Sequence, residues 1–112
     1  MKLLPKEFAG RGEVRGVFFT QLERTNRDYP DETKPYNGHN VALYERSDGH
    51  FEAINILYHG GFVIQGNKIP AGEYYGKGES WNGSCVSNKE KAYKLYNGMV
   101  KCLTGEYADL DE

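Results

Sequence analysis

The chain predicts an α+β domain: a small antiparallel sheet of four or five strands with one C-terminal helix packed on one face. Three observations carry this expectation. Two β-type runs, Asn40–Arg46 and Phe51–Tyr58, flank the turn-forming Ser47-Asp48-Gly49-His50. Shorter β-type runs lie on both sides of that pair. Helical spacing occurs only late, at Ala92, Leu95, Tyr96, Met99 and Leu103. At 112 residues the chain has the length of a single domain.

Taken in order, residues 1–12 read as an irregular arm. A first strand is expected at Val14–Glu23, because Val17, Phe18, Phe19 and Thr20 suit a pleated, half-buried surface. Phe18, Thr20 and Leu22 face one way; Val17, Phe19 and Gln21 face the other. Thr25–Asn40 is polar and holds Pro30, Pro35 and Asn37-Gly38, which predicts a long loop of the kind that often carries function. In the hairpin that follows, Asp48-Gly49 at the centre of a type I′ turn sets Val41 opposite Ile56 and Leu43 opposite Ile54. Those four make one apolar face, with Tyr44, Arg46, Phe51 and Ala53 on the other. Phe62–Gln65 reads as a short strand, and Tyr74-Tyr75 either opens another or only packs an edge. Gly76–Gly83 is a glycine-rich loop and Ser84–Val86 one more short strand. Ser87-Asn88-Lys89-Glu90 matches a capping box at the start of the helix, Asn97-Gly98 weakens its middle and Gly105 stops it.

Charge is unevenly placed. The net charge is −2, and the last ten residues carry Glu106, Asp109, Asp111 and Glu112 with no base. Sixteen acids less those four leave twelve, against fourteen bases in the body. Residues 104–112 read as a solvated acidic tail. No apolar run approaches the ~20 residues of a membrane span, and the charged start has no apolar stretch behind it. A cytoplasmic protein with its two cysteines as thiols is the expectation.

Catalytic constellations are not complete in this sequence. Cys85 with one of His39, His50 and His59 has no local orienting group and reads as a buried thiol. No Cys-x-x-Cys or His-x-x-x-His occurs, so neither a metal nor another cofactor is expected. Gly76-Lys77-Gly78-Glu79-Ser80 departs from the phosphate-loop pattern and no helix follows it directly. Glu45 and Glu52 face each other in the expected hairpin register, where they splay into solvent without a pocket.

Aromatic residues are the compositional excess, with nine tyrosines, five phenylalanines and one tryptophan. Tyr29, Tyr36, Tyr74, Tyr75 and Trp81 fall in or beside loops, with Lys77 nearby. Tyrosine and tryptophan bury large areas with few rotatable bonds, so this set is the expected contact surface. A second surface is basic: Lys77 with the helix residues Lys89, Lys91, Lys94 and Lys101 offers charge to nucleic-acid phosphates.

Arg11-Gly12-Glu13-Val14-Arg15-Gly16, then Leu43-Tyr44-Glu45, Phe51-Glu52-Ala53 and Lys91-Ala92-Tyr93, together resemble small uncharacterised proteins of tailed bacteriophages and mobile elements. The resemblance spans about Arg11 to Met99 and implies an origin and a fold; it brings no activity. The order of sheet then helix is also similar to the WGR nucleic-acid-binding module, without its Trp-Gly-Arg. The function expected is a non-catalytic binding protein engaging a host macromolecule, a protein above all. Nucleic-acid binding through the helix lysines is the alternative and a small enzyme the third. A homodimer through an exposed strand edge fits any of them.

Overall fold

The structure, a computed structural model, describes residues 2–75 and 83–103, the side chains of 83–85 excepted. In chain order the elements are β1 (Glu7–Ala9), a 3-10 turn (Gly12–Val14), β2 (Phe18–Arg24), β3 (Tyr36–Arg46) and β4 (Phe51–His59). There follow β5 (Phe62–Ile64), β6 (Asn67–Ile69), β7 (Gly72–Tyr75), β8 (Gly83–Val86) and α1 (Lys89–Cys102). The main sheet is five strands wide, ordered β1-β2-β3-β4-β7 and antiparallel throughout. β8 shares an edge of β4 with β7: β7 pairs Ile56–His59 and β8 pairs Phe51–Ile54. The α+β architecture with one helix on the sheet is as expected.

The hairpin at its centre is present, but its register differs by one residue from the expected one. Val41 pairs Asn55, Ala42 pairs Ile54, Leu43 pairs Ala53 and Tyr44 pairs Glu52. The turn explains the shift. Gly49 N–H donates to Arg46 O at 3.1 Å and Arg46 N–H to His50 O at 2.8 Å, leaving the three-residue loop Ser47-Asp48-Gly49. Only Gly49 takes a positive φ (+89°), so the loop is a type I turn followed by a left-handed glycine, not a two-residue type I′ turn. With a side-chain period of two, a one-residue slip turns every β4 side chain over. Val41 and Leu43 therefore share a face with Phe51 and Ala53, while Ala42 and Tyr44 share the other with Ile54 and Ile56.

These faces are the two cores. On one, α1 lays Ala92 and Tyr96, with Leu103 just past its end, over Val41, Leu43, Phe51 and Ala53. The helix starts from Asn88, not the expected Ser87. Asn88 is the last extended residue (φ −113°, ψ 121°), and its Oδ1 accepts from Lys91 N–H at 3.0 Å. The other face is the inside of a curl. There Leu4, Phe19, Ala42, Tyr44, Ile54 and Ile56 are buried with Phe8, Val14, Val17 and Tyr75 against them.

The N-terminal arm requires this curl. Lys2 bridges Gly72 beyond β7, and Glu7 pairs Thr20 at the opposite edge. Five residues of chain reach at most about 17 Å. In a flat sheet the five inter-strand steps between those points span about 24 Å. The edges are brought round instead, until Phe8 of β1 lies 5.1 Å from Tyr75 of β7. Residues 1–12, expected to be irregular, thus contain a paired strand and a buried leucine. The strand expected at Val14–Glu23 is β2 and begins only at Phe18, because the 3-10 turn at Gly12–Val14 reverses the chain between β1 and β2.

The long loop is shorter than expected and is latched down. β3 begins at Tyr36, so the connection covers residues 25–35. Asn40 Oδ1 accepts from Arg27 N–H (2.7 Å) and from the Thr25 hydroxyl (2.9 Å), while its amide donates to Arg27 O (3.0 Å). Tyr58 Oη donates to Glu32 O at 2.8 Å. Backbone groups of the loop are satisfied in this way by side chains of the sheet.

Candidate functional site

The tyrosines expected to form a contact surface occupy several environments. Tyr29 is turned into the protein, 8% exposed. Its ring stacks on Tyr58 at 4.0 Å, with Tyr36 at 5.4 Å and His39 at 5.1 Å. Tyr36 is half-buried beside it, and its hydroxyl accepts from Asp31 N–H at 2.9 Å. Tyr75 is half-buried against the inner core and hydrogen-bonds the Glu52 carboxylate. Tyr74, also half-buried, lies 5.3 Å from the His59 ring with Lys2 Nζ 4.5 Å over its face. Trp81 and Lys77 lie outside the described residues. The loop location of Tyr29 suggested exposure; its ring and hydroxyl instead find partners on β4 and β7, which are remote in sequence.

Glu73 of β7 is the group that draws Tyr29 inward. Its side chain is 1% exposed, and four donors reach its carboxylate. Oε1 accepts from Arg24 Nη1 (2.7 Å) and Leu4 N–H (3.0 Å); Oε2 accepts from Arg24 Nη2 (2.9 Å) and the Tyr29 hydroxyl (2.6 Å). Burial pushes the Glu73 carboxyl up, but the Arg24, Tyr29 and Leu4 hydrogen bonds outweigh it and hold it below its ordinary value. Burial also raises the Tyr29 hydroxyl, which stays a donor. Every lone-pair direction is occupied, so the cluster is a clasp joining β2, β7, the loop and the arm. It leaves no free proton acceptor for chemistry.

The expected Glu45–Glu52 pair is not formed. In the observed register Glu45 is opposite Phe51 and Glu52 opposite Tyr44. Glu52 accepts instead from Arg46 Nη1 at 2.6 Å. Among the described residues, no group of three or more His, Cys, Asp and Glu is placed to hold a metal ion. No described helix is long and apolar enough to cross a membrane. Lys89, Lys91, Lys94 and Lys101 are all exposed along α1, with Glu90 among them. Cys102 is a free, exposed cysteine.

Among the described residues, the segment that the sequence predicts only as the short strand Phe62–Gln65 carries three consecutive exposed apolar side chains. β5 and β6 form a separate two-stranded ribbon, pairing Phe62 with Ile69, Val63 with Lys68 and Ile64 with Asn67. Gln65 (φ 49°) and Gly66 (φ 80°) make its two-residue turn, where both positions are left-handed. Phe62, Val63 and Ile64 are 42%, 66% and 51% exposed, and none belongs to either core. Consecutive residues of a strand point to opposite faces, so this ribbon shows apolar groups on both sides. The signal was present: three successive apolar residues break the alternation of a half-buried strand. Phe62 adjoins the His59 ring at 5.9 Å, and His59 adjoins Tyr74, so an aromatic row runs from the ribbon back to β7. No protein-family model, no curated protein and no solved structure matches this chain.

Proposed function

We propose that this chain works by binding another protein, and that the contact surface is the β5–β6 ribbon with Tyr74 and His59 at its base. One observation carries the proposal: Phe62, Val63 and Ile64 stand exposed on a ribbon that packs on neither core. Fully burying such side chains stabilises by about 1.5–3 kcal/mol each, and at 42%, 66% and 51% exposure about half of that is left for a partner's apolar groove to recover. An isolated two-stranded ribbon is only marginally stable, so docking also supplies the support it lacks. The sequence resemblance to tailed-phage and mobile-element proteins makes a host protein of the bacterial cytoplasm the partner class to test first.

The test compares the full chain with a Phe62→Ser, Val63→Ser, Ile64→Ser variant in capture from bacterial lysate. The variant should keep its circular dichroism and melting temperature, since these residues lie outside both cores, and should lose a defined set of captured proteins. Equal capture by both chains, or no specific capture by either, overturns the proposal. If oligonucleotides bound instead, with affinity falling steeply as salt rises, the lysine face of α1 would replace the ribbon as the working surface.

A further inference from the structure

We infer that the seam where the sheet's edges approach each other is a second binding site, for a small organic anion with a flat apolar body. The curl stops short of closure, and a cavity of about 370 Å³ remains between the arm and β7. That volume falls in the range of roughly 300–1,000 Å³ typical of ligand sites, and mouths of closed sheets are a usual place for them. Its walls are mainly apolar, from Leu4, Phe8, Val14, Phe19 and Tyr75. Phe8 and Phe19 lie nearly parallel (6°) at 4.7 Å, with Tyr75 tilted at 5.1 and 5.4 Å to them. Rings so arranged favour a flat guest that can stack or meet them edge-on.

Charge sets the sign of the guest. The lining contains one acid, Glu73, and its carboxylate is already engaged by Arg24, Tyr29 and Leu4. The lining cations are Lys2, lying over Tyr74, and Arg11, which is exposed and has no acid partner among the described residues. An apolar body inside with an anionic group at the Arg11 rim satisfies both features, whereas a cation would meet Arg11 and find Glu73 neutralised. The site is separate from the ribbon and stands or falls independently of it.

The probes are 8-anilinonaphthalene-1-sulfonate, which joins flat rings to an anion, and N-phenyl-1-naphthylamine, which has the rings without the charge. Both are titrated by fluorescence against the full-length ribbon triple-serine variant, so that ribbon-bound probe is removed. Saturable one-to-one binding is expected, with the sulfonate tighter than the neutral amine. Arg11→Glu should weaken the sulfonate about three- to tenfold and leave the amine within about twofold. Val14 lines the cavity and packs half-buried against the inner core, so Val14→Trp intrudes on the cavity and should weaken binding of both at least tenfold. A cooperative melt for each variant shows that the probes report a folded protein. Equal affinity for the two probes with no effect of Arg11→Glu overturns the anion assignment. Binding unchanged by Val14→Trp, or no saturable binding, overturns the site.

Discussion

Glu73 ties together four segments through one carboxylate: the arm at Leu4, β2 at Arg24, the loop at Tyr29 and its own strand β7. Replacing it with glutamine keeps the shape but leaves the Arg24 charge, only 16% exposed, without a counter-charge. Breaking one half of such a pair should cost about 3 kcal/mol, read as a lower urea midpoint at unchanged slope. The pH dependence follows from the direction of the Glu73 shift. Its folded-state value lies below the ordinary 4.5, so as pH falls the unfolded chain takes up the proton first. The stabilisation is therefore complete above about pH 4.5 and is lost as pH falls through the folded-state value. Urea midpoints between pH 6 and pH 3 should fall more steeply for the native chain than for Glu73→Gln. Parallel curves would show that Glu73 does not carry the acid sensitivity. Nothing around position 73 in the sequence announces this role, because Tyr29 and Arg24 are 44 and 49 residues away.

Among the elements, the two hairpins show how much a turn decides. In β3–β4 the apolar alternation made the pairing legible, although β3 starts four residues earlier than expected, at Tyr36. Alternation alone does not distinguish a two-residue loop from a three-residue one, and that single residue reassigns the faces of β4. Burial settles it, since Phe51 and Ala53 cover α1 while Ile54 and Ile56 fill the curl. The β5–β6 ribbon has the two-residue turn, with a glutamine in left-handed conformation where glycine or asparagine is preferred. Gln65→Gly should relieve about 1 kcal/mol of local strain. Because the ribbon packs on neither core, the gain should be seen in slower hydrogen exchange of its own amides, with little change in the global melt. A raised melting temperature would instead mean that the ribbon folds as one unit with the sheet.

At the scale of the whole molecule, the arm holds the curl. Leu4 is 4% exposed, fills the inner core between the two edges and gives its N–H to Glu73. Leu4→Ala should cost about 2–3 kcal/mol, and the cost should be distributed unevenly. Exchange should quicken in β7 and β1, whose edges the arm joins, more than in the central β3–β4 ladder. Uniform quickening would mean that the sheet opens only as a whole.

The sequence by itself determined the class of fold, the central hairpin, the late helix and its apolar stripe, because these depend on periodicity and local turn chemistry. It also showed the chain's aromatic excess, but it did not show which rings face inward. Tertiary structure decided that, along with the register, the pinned loop, the ordered arm and the seam. Each of these depends on contacts between residues far apart in the chain. Tyr29 is buried because a carboxylate on β7 accepts a hydrogen bond from its hydroxyl, and Phe62, Val63 and Ile64 are exposed because neither core reaches the ribbon. A local pattern can state what a residue prefers, but only the assembled sheet supplies the partner that satisfies it.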